Sequence, residues 1–167
     1  MMSQKNLVLE DAQVRQKIRR MAYEIFENNF DEKIIVLAGV AGQGYALAQL
    51  LEKELLTISP LQVITAKVMV DKEAPQKSDV SLDMNLDDLK KKVIVLIDDV
   101  LNTGRTLAYG MKPFLSIEIK KIEVAVLVNR SHPLFPVQPN YTGYELSTTL
   151  TDHVEVVLGK KSAVYLH

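Results

Sequence analysis

The sequence contains no cysteine, which excludes disulfide bridges, a thiolate nucleophile and cysteine-held zinc or iron–sulfur centres. It has only three histidines, His132, His153 and His167, at spacings that do not fit a helical ligand pair, so they are expected on the surface or in a peripheral cap. No run approaches the ~18 apolar residues needed to cross a bilayer, and Met1-Met2-Ser3-Gln4-Lys5-Asn6 leads into an acid-containing helix rather than an apolar core. A soluble, cytoplasmic protein with no membrane partner is the expectation. Excess charge of one sign is missing too: 20 Lys+Arg oppose 21 Asp+Glu, a net charge of −1. That balance lacks the broad basic field of a dedicated nucleic-acid binder, although Arg15, Lys17, Arg19, Arg20 and Lys90 to Lys92 form local basic groups.

What is present suits one domain spanning 1–167. At 47% apolar and 25% charged, the composition excludes disorder and collagen-like repeats as overall descriptions. A chain of this size buries about 70% of its unfolded surface without covalent staples. Val14, Ile18, Met21, Ala22, Ile25 and Phe26 form one stripe on a helix over roughly 10–28. Ile34 to Ala38 is a short apolar run, as expected of a parallel strand covered on both faces. A helix to about 57 follows the loop Val40 to Gly44, and an alternating extended stretch covers about 61–70. Residues 71–91 are too polar to pack and predict a mobile lid. Val93 to Ile97 is the clearest buried strand, followed by a helix from Gly104 that Gly110 and Pro113 end near 112. Val124 to Val128 is the next strand. Beyond it come a proline-rich stretch and extended segments near 154–157 and 163–166, which suggest a small irregular cap. This alternation predicts an α/β fold: an open, mainly parallel sheet flanked by helices, with right-handed crossovers.

In such sheets ligands bind beyond the carboxyl ends of the strands. The loop leaving the clearest strand reads Asp98-Asp99-Val100-Leu101-Asn102-Thr103-Gly104-Arg105-Thr106. Thr103, Gly104 and Thr106 supply two hydroxyls and a close backbone approach where a helix begins, a seat for a phosphate group. Directed charge-assisted hydrogen bonds, roughly 1.5–3 kcal/mol each, outweigh the helix dipole at about 0.3–1 kcal/mol. Asp98 and Asp99 would repel a phosphate, so they are expected to face sugar hydroxyls or Mg²⁺. Both reach one ligand only if the chain turns out of the strand at Asp99. Neither a Walker A loop nor a dinucleotide fingerprint is present, because position 47, where a third glycine would stand after Gly42 and Gly44, is Leu. The Thr-Gly-Arg-Thr continuation argues against a phosphoacceptor receiver domain.

The stretch from Val93 to Thr106 resembles the signature of type I phosphoribosyltransferases, which bind 5-phosphoribosyl 1-pyrophosphate (PRPP). The likeness extends from the first helix through Ala125-Val126-Leu127-Val128-Asn129-Arg130-Ser131-His132 to about Leu158. Within the family it is strongest to the pyrimidine operon regulatory protein/uracil phosphoribosyltransferase group. The resemblance implies a core over about 10–128 and a hood over about 129–167 joined by the N-terminus. It assigns Asp98 and Asp99 to the ribose hydroxyls, Asn102, Thr103, Gly104, Arg105 and Thr106 to the 5′-phosphate, and Ala41, Gly42, Gln43 and Gly44 to pyrophosphate. Asn129 and Arg130 would lie by the base, residues 71–85 would close over PRPP, and Mg²⁺ would be held through PRPP rather than by a direct protein ligand set. The implied activity is Mg²⁺-dependent transfer of a phosphoribosyl group to a nucleobase nitrogen, with uracil as the base.

Three departures stand out. The group has Thr-Arg-Gly where this chain has Gly42-Gln43-Gly44, a neutral contact in place of a charge-assisted one about twice as strong. The lid motif Tyr-Arg-Asp-Asp is absent near Val70-Asp71-Lys72-Glu73, where Lys72 is the one substitute cation. Asn129 stands where the group has Asp. The alternative function is a nucleotide-sensing, RNA-binding pyrimidine regulator with weak or no transferase activity. Leu115, Phe135 and the stripe of the first helix point to a homo-oligomer.

Overall fold

The computed structural model describes residues 4–167; Met1-Met2-Ser3, the start of the N-terminal segment, lies outside them. The chain runs β1 (Asn6–Leu9), α1 (Asp11–Asn28), β2 (Ile34–Val40), α2 (Gln43–Ile58), β3 (Gln62–Met69), β4 (Ser81–Leu82), β5 (Val93–Leu101), α3 (Arg105–Gly110), β6 (Lys121–Asn129), β7 (Tyr141–Glu145), β8 (Val154–Val157) and β9 (Ala163–Leu166). Among the described residues, six strands form the central sheet in the order β4-β3-β2-β5-β6-β7, parallel except for β4. The α/β architecture expected from the apolar runs is the one observed.

Side chains alternate across the sheet with the period of two that a strand imposes. Ile35 and Leu37 of β2 with Val93, Val95 and Ile97 of β5 face α1 and α2. Val36, Ala38, Ile94 and Leu96 face the other way, onto Leu107 and Phe114. This two-sided burial is why both strands read as unbroken apolar runs. In α1, the backbone N–H of Glu10 donates to the Gln13 side-chain carbonyl at 2.9 Å and fixes the first turn. The stripe Val14, Ile18, Met21, Ala22 and Ile25 is buried against the rest of the chain. It therefore needs no second copy to cover it, contrary to the sequence reading; Leu115, at 70% exposure, is the residue of that argument left open to solvent.

Four further expectations are corrected. The N-terminal segment does not pass straight into a helix: β1 pairs with β9, which pairs with β8, in a separate three-stranded sheet. Residues 71–91 are not all lid, because β4 pairs with β3 and a 3-10 turn over Leu86–Leu89 inserts Leu89 into the core. Burying a leucine contributes about 1.5–3 kcal/mol, enough to anchor this segment despite its polar neighbours. Third, β7 lies inside the stretch read as a hood, yet it pairs parallel with β6 in the central sheet. Fourth, β5 continues to Leu101 and does not turn out at Asp99, since Asp98, Val100 and Leu101 still register with Val126, Val128 and Asn129.

The strand order fixes where a ligand can enter. From β2 the chain proceeds toward one edge through β3; from β5 it proceeds toward the other through β6 and β7. Connections therefore diverge between β2 and β5, leaving a crevice at their carboxyl ends. The loops that meet there are 41–42, which opens α2, and 102–104, which opens α3.

Candidate functional site

At that crevice a cavity of about 540 Å³ is lined by Lys72, the run Asp98 to Leu107, and His153 to Val156. The acid pair and the phosphate-seat loop predicted from sequence thus share one cavity. Asp98 is buried, with a side chain 5% exposed, and its Oδ1 accepts the Asp99 backbone N–H at 2.9 Å. Burial, and next the negative charge of Asp99, hold the Asp98 carboxyl well above the usual carboxylate range. Lys72 opposes this shift with its Nζ 3.7 Å from Asp98 Oδ1. Because Asp98 lies deep and Asp99 half-buried, both acids reach the cavity although the strand is still extended.

The loop after β5 is shaped by Gly104, whose φ of +86° lies in the left-handed region. A Cβ there would stand 3.2 Å from Val137 Cβ and 3.4 Å from Phe135 O. The proline-rich segment is held against this loop by the backbone N–H groups of Leu134 and Phe135, which donate to Thr103 O at 2.9 and 3.0 Å. Thr103 Oγ1 accepts the Arg105 N–H at 3.3 Å. The Arg105 side chain donates to Gln76 Oε1 at 2.9 Å, bringing the 71–80 segment to the site.

The second loop is differently placed. Ala41 donates its N–H to Val68 O at 2.8 Å, and Gly42, at φ +98°, caps α2. Gly44 abuts Asp98, but Gln43 Oε1 accepts the Leu158 N–H at 2.9 Å, so the Gln43 carbonyl is spent on the end of β8. Ala41, Gly42, Gln43 and Gly44 stand beside the cavity rather than in its lining.

A neighbouring cavity of about 420 Å³ shares Leu101 and Asn102 with the first and is walled by Asn129, His132, Phe135 and Val137. Asn129 Oδ1 accepts the Ser131 N–H at 3.0 Å, and its Nδ2 donates to Glu145 at 3.3 Å. Arg130 acts as a brace: its guanidinium donates to Asn102 Oδ1 at 2.7 Å, Thr148 Oγ1 at 3.0 Å, Thr149 O at 3.1 Å and Asp152 O at 2.6 Å. It ties the loop after β5 to the 148–152 segment.

Sequence reasoning missed His153, just before β8, and Glu155 of β8, which reach the cavity. Only tertiary packing carries β8 there, and no local signal in Asp152-His153-Val154-Glu155 announces it. His153 lies at 5.0 Å from the His167 ring in an edge-on pair, and His132 sits 2.9 Å from Thr148 Oγ1. Among the described residues no group of three or more His, Asp or Glu could hold a metal ion by itself. Nor is any helix there long and apolar enough to cross a membrane.

The divergence between β2 and β5, with a Thr-Gly-Arg-Thr turn and an acid pair, one member buried and one half-buried, lining one cavity, is the arrangement of a phosphoribosyltransferase. Residues 6–159 match the phosphoribosyl transferase domain, and the chain belongs to that family. It is 31% identical to the bifunctional protein PyrR of Fusobacterium nucleatum, over 96% of this chain and 97% of that one. With the bifunctional protein PyrR of Staphylococcus epidermidis the identity is 33%, over 91% of each chain. Among solved structures, a hypoxanthine-guanine phosphoribosyltransferase from Bacillus anthracis superposes with a TM-score of 0.71 at 16% identity, covering 87% of this chain and 85% of that one. The hypoxanthine phosphoribosyltransferase of Trypanosoma cruzi gives 0.72 at 14% identity, covering 84% and 81%. These two likenesses bear on the fold alone.

Proposed function

We propose that this protein transfers the phosphoribosyl group of PRPP to a ring nitrogen of a pyrimidine base, uracil, giving uridine monophosphate and pyrophosphate. The observation that carries the reading is that Asp98, Asp99 and the left-handed Gly104 turn face the same cavity. A sugar phosphate matches that polarity. Its hydroxyls donate to the carboxylates, and its 5′-phosphate accepts from Thr103, Thr106 and the backbone N–H groups between them. The adjoining cavity walled by Phe135, Val137 and Asn129 is the place for the base, within reach of the sugar C1′ through the shared Leu101 and Asn102. The likeness to the uracil phosphoribosyltransferase group and to proteins named PyrR supports a pyrimidine acceptor.

In the transfer the C1′–O bond to pyrophosphate breaks and its electron pair leaves with the pyrophosphate. The base nitrogen forms the new bond to C1′ and its proton passes to solvent. As positive charge develops on the ribose, Asp98 and Asp99 hold the adjacent hydroxyls and stabilise that charge. The residues present fit a divalent cation brought in with the donor, which would be held by the diphosphate and ribose oxygens of PRPP beside the negative charge of Asp98 and Asp99 rather than by direct protein ligands. When bound, Mg²⁺ supplies positive charge to the departing pyrophosphate. The 71–80 segment, held to Arg105 through Gln76, brings Lys72 to the cavity wall and, on closing over the donor, limits hydrolysis of the activated sugar.

RNA binding finds less support. Arg20 donates to Gly143 O at 2.6 Å and pairs with Glu24, Arg15 pairs with Asp11 at 3.0 Å, and Lys90 pairs with Asp87 at 3.1 Å. These cations are partly committed within the chain.

The test is incubation of the protein with PRPP, Mg²⁺ and uracil, with chromatography for uridine monophosphate. Absence of nucleotide product from every common nucleobase, in a folded preparation, overturns the reading. Calorimetry of PRPP binding to wild type and to the Asp98→Asn, Asp99→Asn double variant tests the ribose assignment, because affinity that survives both changes contradicts it.

A further inference from the structure

We infer that His153 is the base of the transfer, taking the proton of the attacking ring nitrogen on its way to solvent. The inference rests on the reading of the site as a PRPP-dependent transferase acting on uracil and deepens it by one step.

A ring nitrogen of uracil that still holds its proton is a poor nucleophile, because its lone pair is delocalised into the neighbouring carbonyls. In the transfer the N–H bond breaks and its electron pair forms the new bond to C1′, so the proton needs an acceptor beside C1′. Few groups qualify. Asp98 and Asp99 are assigned to the ribose hydroxyls, and the Lys72 ammonium and Arg105 guanidinium donate rather than accept. Glu155 is engaged by Lys5 at 2.7 Å, and that hydrogen bond is the main cause holding its carboxyl below the usual range, which makes it a weak base. In the adjoining cavity His132 is the one titratable side chain among the described lining residues. That cavity meets the sugar site only through Leu101 and Asn102, and His132 Nε2 already lies 2.9 Å from Thr148 Oγ1. There remains His153, in the wall of the cavity that holds the acid pair.

The backbone fixes where this imidazole stands. His153 and His167 exchange backbone hydrogen bonds at 2.6 and 2.9 Å, which extends the β8–β9 ladder by one residue pair. Residues two apart on an extended chain share a face, and Glu155 accordingly lines the same cavity. Its carboxylate supplies the negative charge that stabilises an imidazolium once formed, and positive charge on His153 or His167 in turn favours the ionised carboxylate. The His167 ring stands edge-on at 5.0 Å, with its Nε2 3.6 Å from Glu155 Oε2. Asp152, the preceding residue, is occupied elsewhere, since its Oδ2 accepts the Thr149 N–H at 2.8 Å. His153 is exposed as well as lining the cavity, so the proton it takes passes on to water.

The test is the pH dependence of kcat and KM for uracil on the full chain, at saturating PRPP and Mg²⁺. Wild type is expected to lose rate on the acid side, as an imidazole takes up its proton. His153→Gln is expected to lower kcat about a hundredfold or more and to erase that acid limb, with PRPP affinity by calorimetry within a few-fold of wild type. Fluorouracil, whose ring fluorine makes the N–H more acidic, needs less help, so the loss in the variant is smaller with it than with uracil. Unchanged kcat in His153→Gln overturns the inference and leaves the transferase reading standing. So does an equal loss on both bases with the acid limb retained, which marks a shape-filling role only, and so does an acid limb erased by His132→Gln instead. Wild-type protein that makes no nucleotide overturns the transferase reading and this inference with it. Because His153 is exposed, thermal melts of His153→Gln are expected to match wild type.

Discussion

Gly44, in the first turn of α2, and Asp98, near the end of β5, are packed with no room for another atom. A Cβ at position 44 would lie 3.0 Å from Asp98 Oδ1 and 2.9 Å from Ile97 O. The loop that opens α2 and the first acid of the pair on β5 are therefore set by one contact. We predict that Gly44→Ala displaces either α2 or Asp98, costing about 1–3 kcal/mol of stability and lowering PRPP affinity together. Chemical denaturation and calorimetry check the two effects; a variant with wild-type values in both refutes the coupling.

The raised Asp98 carboxyl gives a pH dependence of definite sign. A carboxyl held above its usual range by burial and by Asp99 binds a proton more readily folded than unfolded. Native stability therefore falls as pH rises from the ordinary carboxylate value through the raised one, and the penalty is complete above it. Asp98→Asn removes this penalty. The ligand-free variant is expected to melt above wild type near neutral pH, with a flatter profile toward acid, while losing PRPP. Thermal melts between about pH 4 and about pH 8 decide it; a variant melting below wild type at neutral pH contradicts the account.

Gly104→Ala is expected to cost about 1–2 kcal/mol for the left-handed backbone, before the clash with Val137 is counted. Because Leu134 and Phe135 hang from Thr103 O, the proline-rich segment should loosen with it. Faster amide exchange across 134–137 is the readout.

Arg130 joins Asn102 to Thr148, Thr149 and Asp152 through donors pointing in several directions. Lysine presents a point charge and cannot reproduce that fan. Arg130→Lys should release the 148–152 segment and raise KM for the base more than it lowers kcat. Hydrogen exchange and steady-state kinetics test this; protection of 148–152 equal to wild type would remove Arg130 from its bracing role.

Away from the site, the Tyr141 hydroxyl donates to the buried Glu123 carboxylate at 3.0 Å, and Asn29 donates to the same Oε1 at 2.9 Å. Burial is the main cause that raises the Tyr141 hydroxyl above its usual pKa. Tyr141→Phe leaves Glu123 short of a donor and is expected to destabilise the chain by about 1–3 kcal/mol without changing PRPP affinity. Urea unfolding and calorimetry separate the two.

Much of the fold was written locally. The runs Ile34 to Ala38, Val93 to Ile97 and Val124 to Val128 had to be covered on both faces, and the stripe Val14 to Ile25 had to be a helix with one buried side. The segments near 154–157 and 163–166 were also legible. What escaped were elements whose identity depends on a partner. Tyr141-Thr142-Gly143-Tyr144-Glu145 has no apolar run, and it is a sheet strand only because Gly143 lets it lie against Leu127 O, where a Cβ would come within 2.6 Å. Leu89 anchors a polar segment by inserting one side chain into a core that its neighbours in sequence do not reveal.

For the site, the sequence by itself determined the chemistry on offer: an acid pair at the end of a buried strand, and a glycine-bearing turn opening a helix. Local spacing suffices for that, since residues a few positions apart are constrained by one strand and one turn. Tertiary structure alone decided which groups meet these residues. It placed Lys72 on Asp98, carried Glu155 of β8 and the preceding His153 to the cavity wall, turned Gln43 toward Leu158, and made Arg130 a brace. Those partners lie tens of residues apart in the chain, and their pairing is fixed by the packing of separate elements, which no local pattern encodes.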